Sequence, residues 1–300
     1  MSTDSSLADK LAGVQRVLRK EYAKKHATPW VIAYSGGKDS TLLLHLVWEL
    51  LLALPAAQRR RKVFIVSNDT LVESPLVIDH LKNSLNTINK AAAKQKLPIE
   101  SHLTTPNLDQ SFWVNVIGKG YIPPTRNFRW CTDRLKIIPT NTLLKKLVIE
   151  HSKVILLIGS RLSESQNRKR AMLKHGVTAD TMNKHGSIDD CLMFSPLADL
   201  TNDDVWTLLM QRKPPWGGSH RRLITLYKNA GGGECPLVIS KDDAPSCGSS
   251  SPRFGCWTCT VVEKDKSMQG SIAAGHKDEE MLEALLDFRN WLTELRADKA

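Results

Sequence analysis

The chain has 300 residues, enough to bury one large core or one core with a smaller appendage. Lysine and arginine number 42 against 31 aspartates and glutamates; the net charge of +11 favours a polyanionic partner such as nucleic acid over a neutral small substrate, although a basic protein without one has the same surplus. Six cysteines are too sparse for a disulfide scaffold, no apolar run approaches bilayer length and the polar start MSTDSSLADK lacks a signal-peptide core, so the expectation is a cytoplasmic protein with no membrane attachment.

Asp4 is placed to cap a first helix, in which Leu7, Leu11, Val14, Leu18 and Tyr22 recur at helical spacing. Trp30–Tyr34 reads as a buried strand, and Thr41, Leu42, Leu43, Leu44 and Leu46 as the packed face of the helix that follows. Between them lies Ser35-Gly36-Gly37-Lys38-Asp39-Ser40. Without Cβ atoms, Gly36 and Gly37 let the backbone curl so that its N–H groups meet an anion at the positive end of the helix. Lys38 adds a full charge, and the hydroxyls of Ser35 and Ser40 add donors. Asp39 suits a phosphate site when a cation bridges the two, which implies Mg²⁺. The spacing is not that of the common G-x-x-x-x-G-K-[ST] loop, and a plain glycine-rich corner is the competing reading.

After the basic run Arg59–Lys62, VFIVSNDT reads as a second strand whose carboxyl end carries Asp69 and Thr70. In open parallel sheets ligands gather beyond such ends, which would set both residues beside the loop; a helix cap is the alternative for Asp69. A long helix over Leu76–Lys96 and a strand over Ile99–Thr104 continue the alternation of a doubly wound sheet. In FWVNVIGKGYIPPTRNFRWCTDRLKIIP, the aromatics Tyr121, Phe128 and Trp130 interleave with Lys119, Arg126, Arg129, Arg134 and Lys136. This pattern suits base stacking and phosphate contact, or aromatics in a core with solvated cations. The strand KVILLIG runs into SRLSESQNRKR, placing Gly159, Arg161, Glu164, Arg168, Lys169 and Arg170 at the same rim. The polar stretch His175–Ser187 reads as a loop whose histidines, His175 and His185, have no partners at ligand spacing. In PLADLTNDDVWTLL, Thr201 or Asn202 is placed to cap a helix with apolar Val205, Leu208 and Leu209; PPWGG, Pro214–Gly218, then breaks the chain.

Four of the six cysteines fall in GGGECPLVISKDDAPSCGSSSPRFGCWTCTVVEKDKSM. Cys256 and Cys259 form C-x-x-C, with Cys247 and Cys235 before them and Cys131 far upstream. An iron–sulfur cluster, zinc, a redox disulfide and unligated thiols all fit this spacing, though zinc usually takes a second C-x-x-C. Cys191 reads as structural. An amphipathic segment with Met281, Leu282, Leu285, Leu286 and Trp291 ends the chain and packs or meets a partner.

SGGKDS after a buried strand resembles the signature of the PP-loop ATP pyrophosphatases, which split ATP between the α and β phosphates. Asp69-Thr70 with Glu73 and Pro75, the pattern G-x-R-x-x-E-S-x-x-R from Gly159 to Arg168, and P-L-x-x-x-x-x-x-D-V-W from Pro196 are similar to the phosphoadenylyl-sulfate reductase branch. RWCTDRLK, GECPL, PSCG and RFGCWTCTVVEKDKSM resemble the DNA phosphorothioation PP-loop sulfurtransferases of the DndC type, over Val31 to Met268. The resemblance implies an α/β, doubly wound, mostly parallel five-stranded sheet of the adenine nucleotide alpha hydrolase-like kind in residues 1–229. A cysteine-rich iron–sulfur extension and terminal helix would occupy 230–300. It further implies ATP, Mg²⁺ and a [4Fe–4S] cluster as cofactors. Lys38, Asp39 and Ser40 would be catalytic, and Ser35, Gly36, Gly37, Asp69, Thr70, Gly159 and Arg161 would join them in binding nucleotide. DNA would meet Arg126, Arg129, Arg134, Glu164, Arg168, Lys169 and Arg170. The cluster would rest on Cys131, Cys247, Cys256 and Cys259. Cys131 stands alone where the reductases have paired cysteines, so Cys247 is taken as the fourth ligand and Cys235 is its rival. The implied partners are DNA, a cysteine desulfurase as sulfur source and further phosphorothioation proteins; members of that family extend beyond this C-terminus. Two alternatives keep the same residues: tRNA thiolation or adenylyl-sulfate reduction on the same fold, and a non-catalytic ATP- and cluster-binding subunit.

Overall fold

The computed structural model describes residues 6–125, 127–230 and 255–297. Helix α1 (Leu7–Tyr22) is capped by Ser6, whose side chain accepts the Asp9 N–H at 3.2 Å; Asp4 lies outside the described residues. Strand β1 (Trp30–Ala33) leads into α2 (Lys38–Ala53), and β2 (Val63–Asn68) into α3 (Pro75–Lys94), which opens on a proline already shaped for a first helical turn. Next come β3 (Ile99–Thr104), the short helical turn α4 (Trp130–Thr132) and α5 (Ile138–His151), the last two joined by a π-helical turn at Asp133–Ile137. Strand β4 (Val154–Leu157), α6 (Gln166–Lys174), β5 (Met182–Lys184), β6 (Cys191–Phe194) and α7 (Asn202–Gln211) follow. Helices α8 (Arg221–Asn229), α9 (Lys266–Ala273) and α10 (Glu279–Ala297) complete the described chain.

These elements sort into two compact units, each built from separated segments. The first comprises Met1–Ser67, Asn83–Leu103 and Asn141–His220; the second comprises Asn68–Lys82, Thr104–Thr140 and Arg221–Ala300.

The sheet has six strands in the order β3-β2-β1-β4-β6-β5, not five. β1 pairs in parallel with β2 and β4, and β4 with β6, whereas β5 runs antiparallel to β6. Sequence reading lacked two of these strands: β6, the four-residue run Cys191–Phe194, and β5, which falls inside His175–Ser187, the stretch expected to be a loop. Asn183 and Lys184 carry no apolar period because β5 lies at the sheet edge and pairs on one side only. His185 sits just past it, its Nδ1 accepting the Ser187 N–H at 3.2 Å, and is a loop histidine as expected. α2 is buried nearly all round, from Leu42 to Trp48, which is why LLLHLVW lacks the polar stripe of a surface helix. On the other face, Leu144 and Leu147 of α5 pack with Val31, Phe64, Val154 and Leu156.

In the second unit, Phe112, Trp130, Val72 and Leu135 form a separate core with Tyr121, Cys131 and Cys256 packed against it. Leu282 of α10 is fully buried there, a site where truncation to alanine costs about 2–5 kcal/mol. Gly270 of α9 is fixed by packing, since a Cβ would fall 1.7 Å from the Asn229 carbonyl oxygen at the end of α8.

Candidate functional site

The first unit places two loops at the point where the sheet changes direction. The chain leaves β1 towards β2 on one side and returns to β4 on the other, so the loops after β1 and β4 flank the crevice where open α/β sheets take ligands. After β1, Gly36 adopts φ 73°, a left-handed conformation that suits glycine, and Gly37 becomes the N-cap of α2. No side chain caps this helix. Its first turn is therefore shaped for an anion, with the macrodipole adding positive potential. Internal hydrogen bonds hold the loop's shape. Ser40 Oγ accepts the Ser35 N–H at 3.2 Å and donates to the Gly37 carbonyl at 3.0 Å, while Ser35 Oγ accepts the Gly37 N–H at 3.3 Å. The Lys38 ammonium lies in a largely buried side chain, 3.5 Å from Asp39 Oδ2.

The loop after β4 explains why an acid can sit beside an anion site. Arg161, fully buried, donates through Nε to Asp39 Oδ1 at 2.6 Å. Its Nη1 reaches Ser163 Oγ at 2.9 Å, and Ser163 Oγ donates to the Leu200 carbonyl at 2.8 Å. The Leu162 N–H meets the Ala198 carbonyl at 2.9 Å. The PLADL segment thus anchors Arg161, and Arg161 orients the carboxylate. Gly159 makes the approach possible: a Cβ there would stand 2.9 Å from the Asp39 carbonyl carbon and 3.2 Å from the Ser40 nitrogen.

The second unit gathers another set of side chains. Residues 72–74 receive the C-x-x-C segment as a short antiparallel pair, with Ser74 N–H to Gly255 O at 3.1 Å and Trp257 N–H to Val72 O at 3.0 Å. The Cys259 N–H closes a turn on the Cys256 carbonyl at 3.1 Å. Thr70 Oγ1, fully buried, lies 3.3 Å from Cys256 Sγ. Burial pushes the Cys256 thiol up to about 12, and the Glu73 carboxylate adds to the shift. Burial also raises Cys131, with Cys259 as the next cause, and Cys259 contributes to the Cys256 shift as well. Lys136 pairs with Glu73 at 3.0 Å. Burial works against its charge, but Glu73, with Cys256 and Cys131, outweighs this and raises its pKa. Arg289 of α10, also buried, donates to the Cys259, Val262 and Glu263 carbonyls and so holds the strap behind the cysteines.

Asp69 lies in this second unit, with Oδ1 accepting the Leu71 N–H at 2.9 Å and Oδ2 pairing with Lys82 at 3.1 Å. Of the interleaved aromatics, Trp130 and Tyr121 serve the core, their rings edge-on at 5.5 Å, whereas Phe128 is exposed. Arg134 is a packing residue: its guanidinium covers the Tyr121 ring and bonds Gln110 and the Tyr121 hydroxyl. Arg129 is exposed, as are Lys169, Arg170 and the Glu164–Arg168 ion pair at 3.3 Å. Arg126, Cys235 and Cys247 lie outside the described residues. Among the described residues, no group of three or more histidine, cysteine or acidic side chains is arranged to hold a metal ion. None of the helices searched is long and apolar enough to cross a membrane. Sequence reading named Lys136 and Glu73 without pairing them and passed over Arg289, whose only signal was a charge within an amphipathic segment.

The chain matches a family model and resembles several known proteins. Residues 29–262 match the family model described as the phosphoadenosine phosphosulfate reductase domain. The uncharacterized protein MJ0973 of Methanocaldococcus jannaschii is 27% identical over 175 residues, covering 58% of this chain and 34% of that protein. The chain thus spans about a third of the length of the curated relatives it matches. A phosphoadenylyl-sulfate reductase from Candida auris, solved as a phosphate complex, is 15% identical with a TM-score of 0.42, over 70% of this chain and 87% of that one. The U34-tRNA thiolase NcsA from Methanococcus maripaludis, solved with its [4Fe-4S] cluster, is 14% identical with a TM-score of 0.42, over 96% and 80%.

Proposed function

Because this chain belongs to the phosphoadenosine phosphosulfate reductase domain family, we propose that it is an ATP pyrophosphatase that adenylylates a DNA backbone phosphate for sulfur insertion, as in DNA phosphorothioate modification. The observation that carries the ATP half of this reading is the close fit of the β1 and β4 loops, with Gly159 against the Asp39 backbone and Arg161 on its carboxylate. The DNA half rests on the basic surplus and on the resemblance of the cysteine-bearing motifs.

An ionised phosphodiester oxygen attacks the α phosphorus of ATP, the bond to the β phosphate breaks, and pyrophosphate departs. Because the attacking oxygen already carries its charge, the chain need supply no base. Lys38 and the amides of the first turn of α2 stabilise the departing pyrophosphate by fixed charge and dipoles. Asp39 is the carboxylate in this loop that would hold Mg²⁺, sharing its oxygens with Arg161 at Oδ1 and the Lys38 ammonium at Oδ2; when bound the ion would neutralise phosphate charge. A sulfur nucleophile then displaces AMP from the DNA phosphorus. A cysteine desulfurase would supply that sulfur, with other phosphorothioation proteins as partners. The side chains proposed to meet DNA phosphates are Arg168, Lys169 and Arg170 in the first unit and, taken by itself, Arg129 in the second; Arg126 lies outside the described residues.

Thiols such as those of Cys131, Cys256 and Cys259, beside an apolar core, are the donors a [4Fe–4S] cluster takes, although in this structure the three do not stand in a ligating arrangement. Cys247 would be the fourth ligand, and the cluster when bound supplies electron transfer or sulfur.

The experiment is pyrophosphate release from ATP by anaerobically purified protein with and without DNA, followed by a search for adenylylated strands. The family match favours one rival, reduction of a nucleotide-borne sulfate. Sulfite produced from such a nucleotide, with no effect of DNA, would give that rival the place of the DNA reading.

A further inference from the structure

The PPWGG turn plays no part in the chemistry above, yet the structure gives it a groove. Residues Pro215, Trp216 and Gly217 face Thr87, Lys90, Ala91 and Lys94 of α3 across a cavity of about 470 Å³, all within the first unit. That volume is in the range of about 300–1,000 Å³ usual for small-ligand sites. We propose that this groove binds a nucleotide unit, its base lying against Trp216, Pro215 and Ala91 and its phosphate on Lys90 and Lys94.

The apolar wall is rigid. Trp216 packs edge-on to Trp48 at 5.6 Å and to His45 at 6.0 Å, and Gln95 ties the turn down by donating to the Pro215 carbonyl at 3.1 Å while accepting the Trp48 indole N–H at 2.8 Å. Gly217 and Gly218 adopt φ 96° and 77°, so the turn reverses there without side chains, and a Cβ at Gly217 would meet nothing within 4 Å. Trp216 is itself largely buried by these contacts, so a flat ring would lie on Pro215, Ala91 and the small part of the indole that lines the groove, with open space beside Gly217.

The opposite wall is cationic. Lys90 and Lys94 are exposed, stand one helical turn apart on the same face of α3, and have no ion-pair partner among the described residues. Their stems extend the apolar lining while their ammonium groups stay at the rim. An apolar floor with two adjacent cations on one side matches a ligand with a flat ring at one end and an anion at the other, as in a nucleotide. The source is a free nucleotide or a nucleotide within a single strand.

The test uses the full chain without ATP, so it does not depend on turnover. A fluorescent oligothymidylate and its 5-iodouracil analogue probe the strand, and labelled AMP probes the free nucleotide. The variants are the double change Lys90→Gln with Lys94→Gln, on an exposed helix face, and Ala91→Phe, which fills the groove. For a strand, photocrosslinks should map to the Pro215–Gly217 peptide, and the double variant should lower the slope of log affinity against log salt by about 0.7 for each lysine lost. For a free nucleotide, AMP binding should fall with Ala91→Phe and persist in Lys38→Ala, which separates the groove from the α2 loop. If neither probe responds to either variant, or crosslinks form only elsewhere while AMP binding is unchanged by Ala91→Phe, the proposal is overturned.

Discussion

Gly159→Ala is the smallest change that tests how the two loops meet. The new Cβ would stand 2.9 Å from the Asp39 carbonyl carbon, 3.0 Å from its oxygen and 3.2 Å from the Ser40 nitrogen. Each of these is backbone in the first turn of α2, so no side chain can swing aside. Restoring ordinary van der Waals separation requires the turn or the β4 loop to move by roughly half an ångström. Overpacking of this kind costs about 1–3 kcal/mol. Because the displaced atoms belong to the proposed pyrophosphate cradle, the larger effect falls on chemistry, where a misplacement of about 1 Å costs about a hundredfold. The expected result is a modest fall in melting temperature with pyrophosphate release and ATP affinity both down tenfold or more, an order of magnitude set by that relation. Gly13→Ala, in α1 with open space around the new methyl, is the control and should stabilise by up to about 1 kcal/mol. Full ATP affinity and turnover in Gly159→Ala would show that the contact between the loops has no bearing on the site.

Other outcomes follow from single contacts. Arg161→Met leaves Asp39 Oδ1 without its partner and should cost about 1.5–3 kcal/mol in urea unfolding, the scale of a charge-assisted bond. Glu49 bonds His45 and Arg212, which hold its carboxyl below the usual 4.5 against the opposing effect of burial. Its contribution is therefore full above pH 4.5 and disappears as pH falls through the lower folded value, so Glu49→Gln should flatten the stability profile below 4.5. Burial lifts the Cys191 thiol to about 11; its alkylation, followed by mass spectrometry, should be slow at neutral pH and rise with each pH unit until near that value. Loss of Lys169 or Arg170 should lower the salt slope of duplex DNA binding by about 0.9 for each phosphate contact removed, and an unchanged slope would take α6 off the DNA path.

The strand–loop–helix around Lys38 was legible because every signal for it is local: a β-branched run, two glycines and an unbroken apolar helix. What the loop contacts was not. Arg161 stands 122 residues from Asp39, and nothing between them announces an ion pair or the bare Gly159 that admits it. Asp39 was read as evidence for a cation, and the structure supplies an arginine as well. β5 escaped notice because a three-residue edge strand has no period to read. Trp130 and Tyr121 look like stacking platforms in one dimension; their burial depends on Phe112, Val72 and Leu135, which only folding brings to them. The pairing of C-x-x-C with residues 72–74 joins segments far apart in sequence, beyond what spacing can express.

The most direct measurement is pyrophosphate release by the anaerobically purified protein, wild type and Lys38→Ala, in the presence and absence of DNA. Release should require DNA, leave AMP on a strand, and be abolished by Lys38→Ala in a protein that melts as the wild type does. Release from ATP that ignores DNA, or that survives the loss of Lys38, would contradict the proposed function.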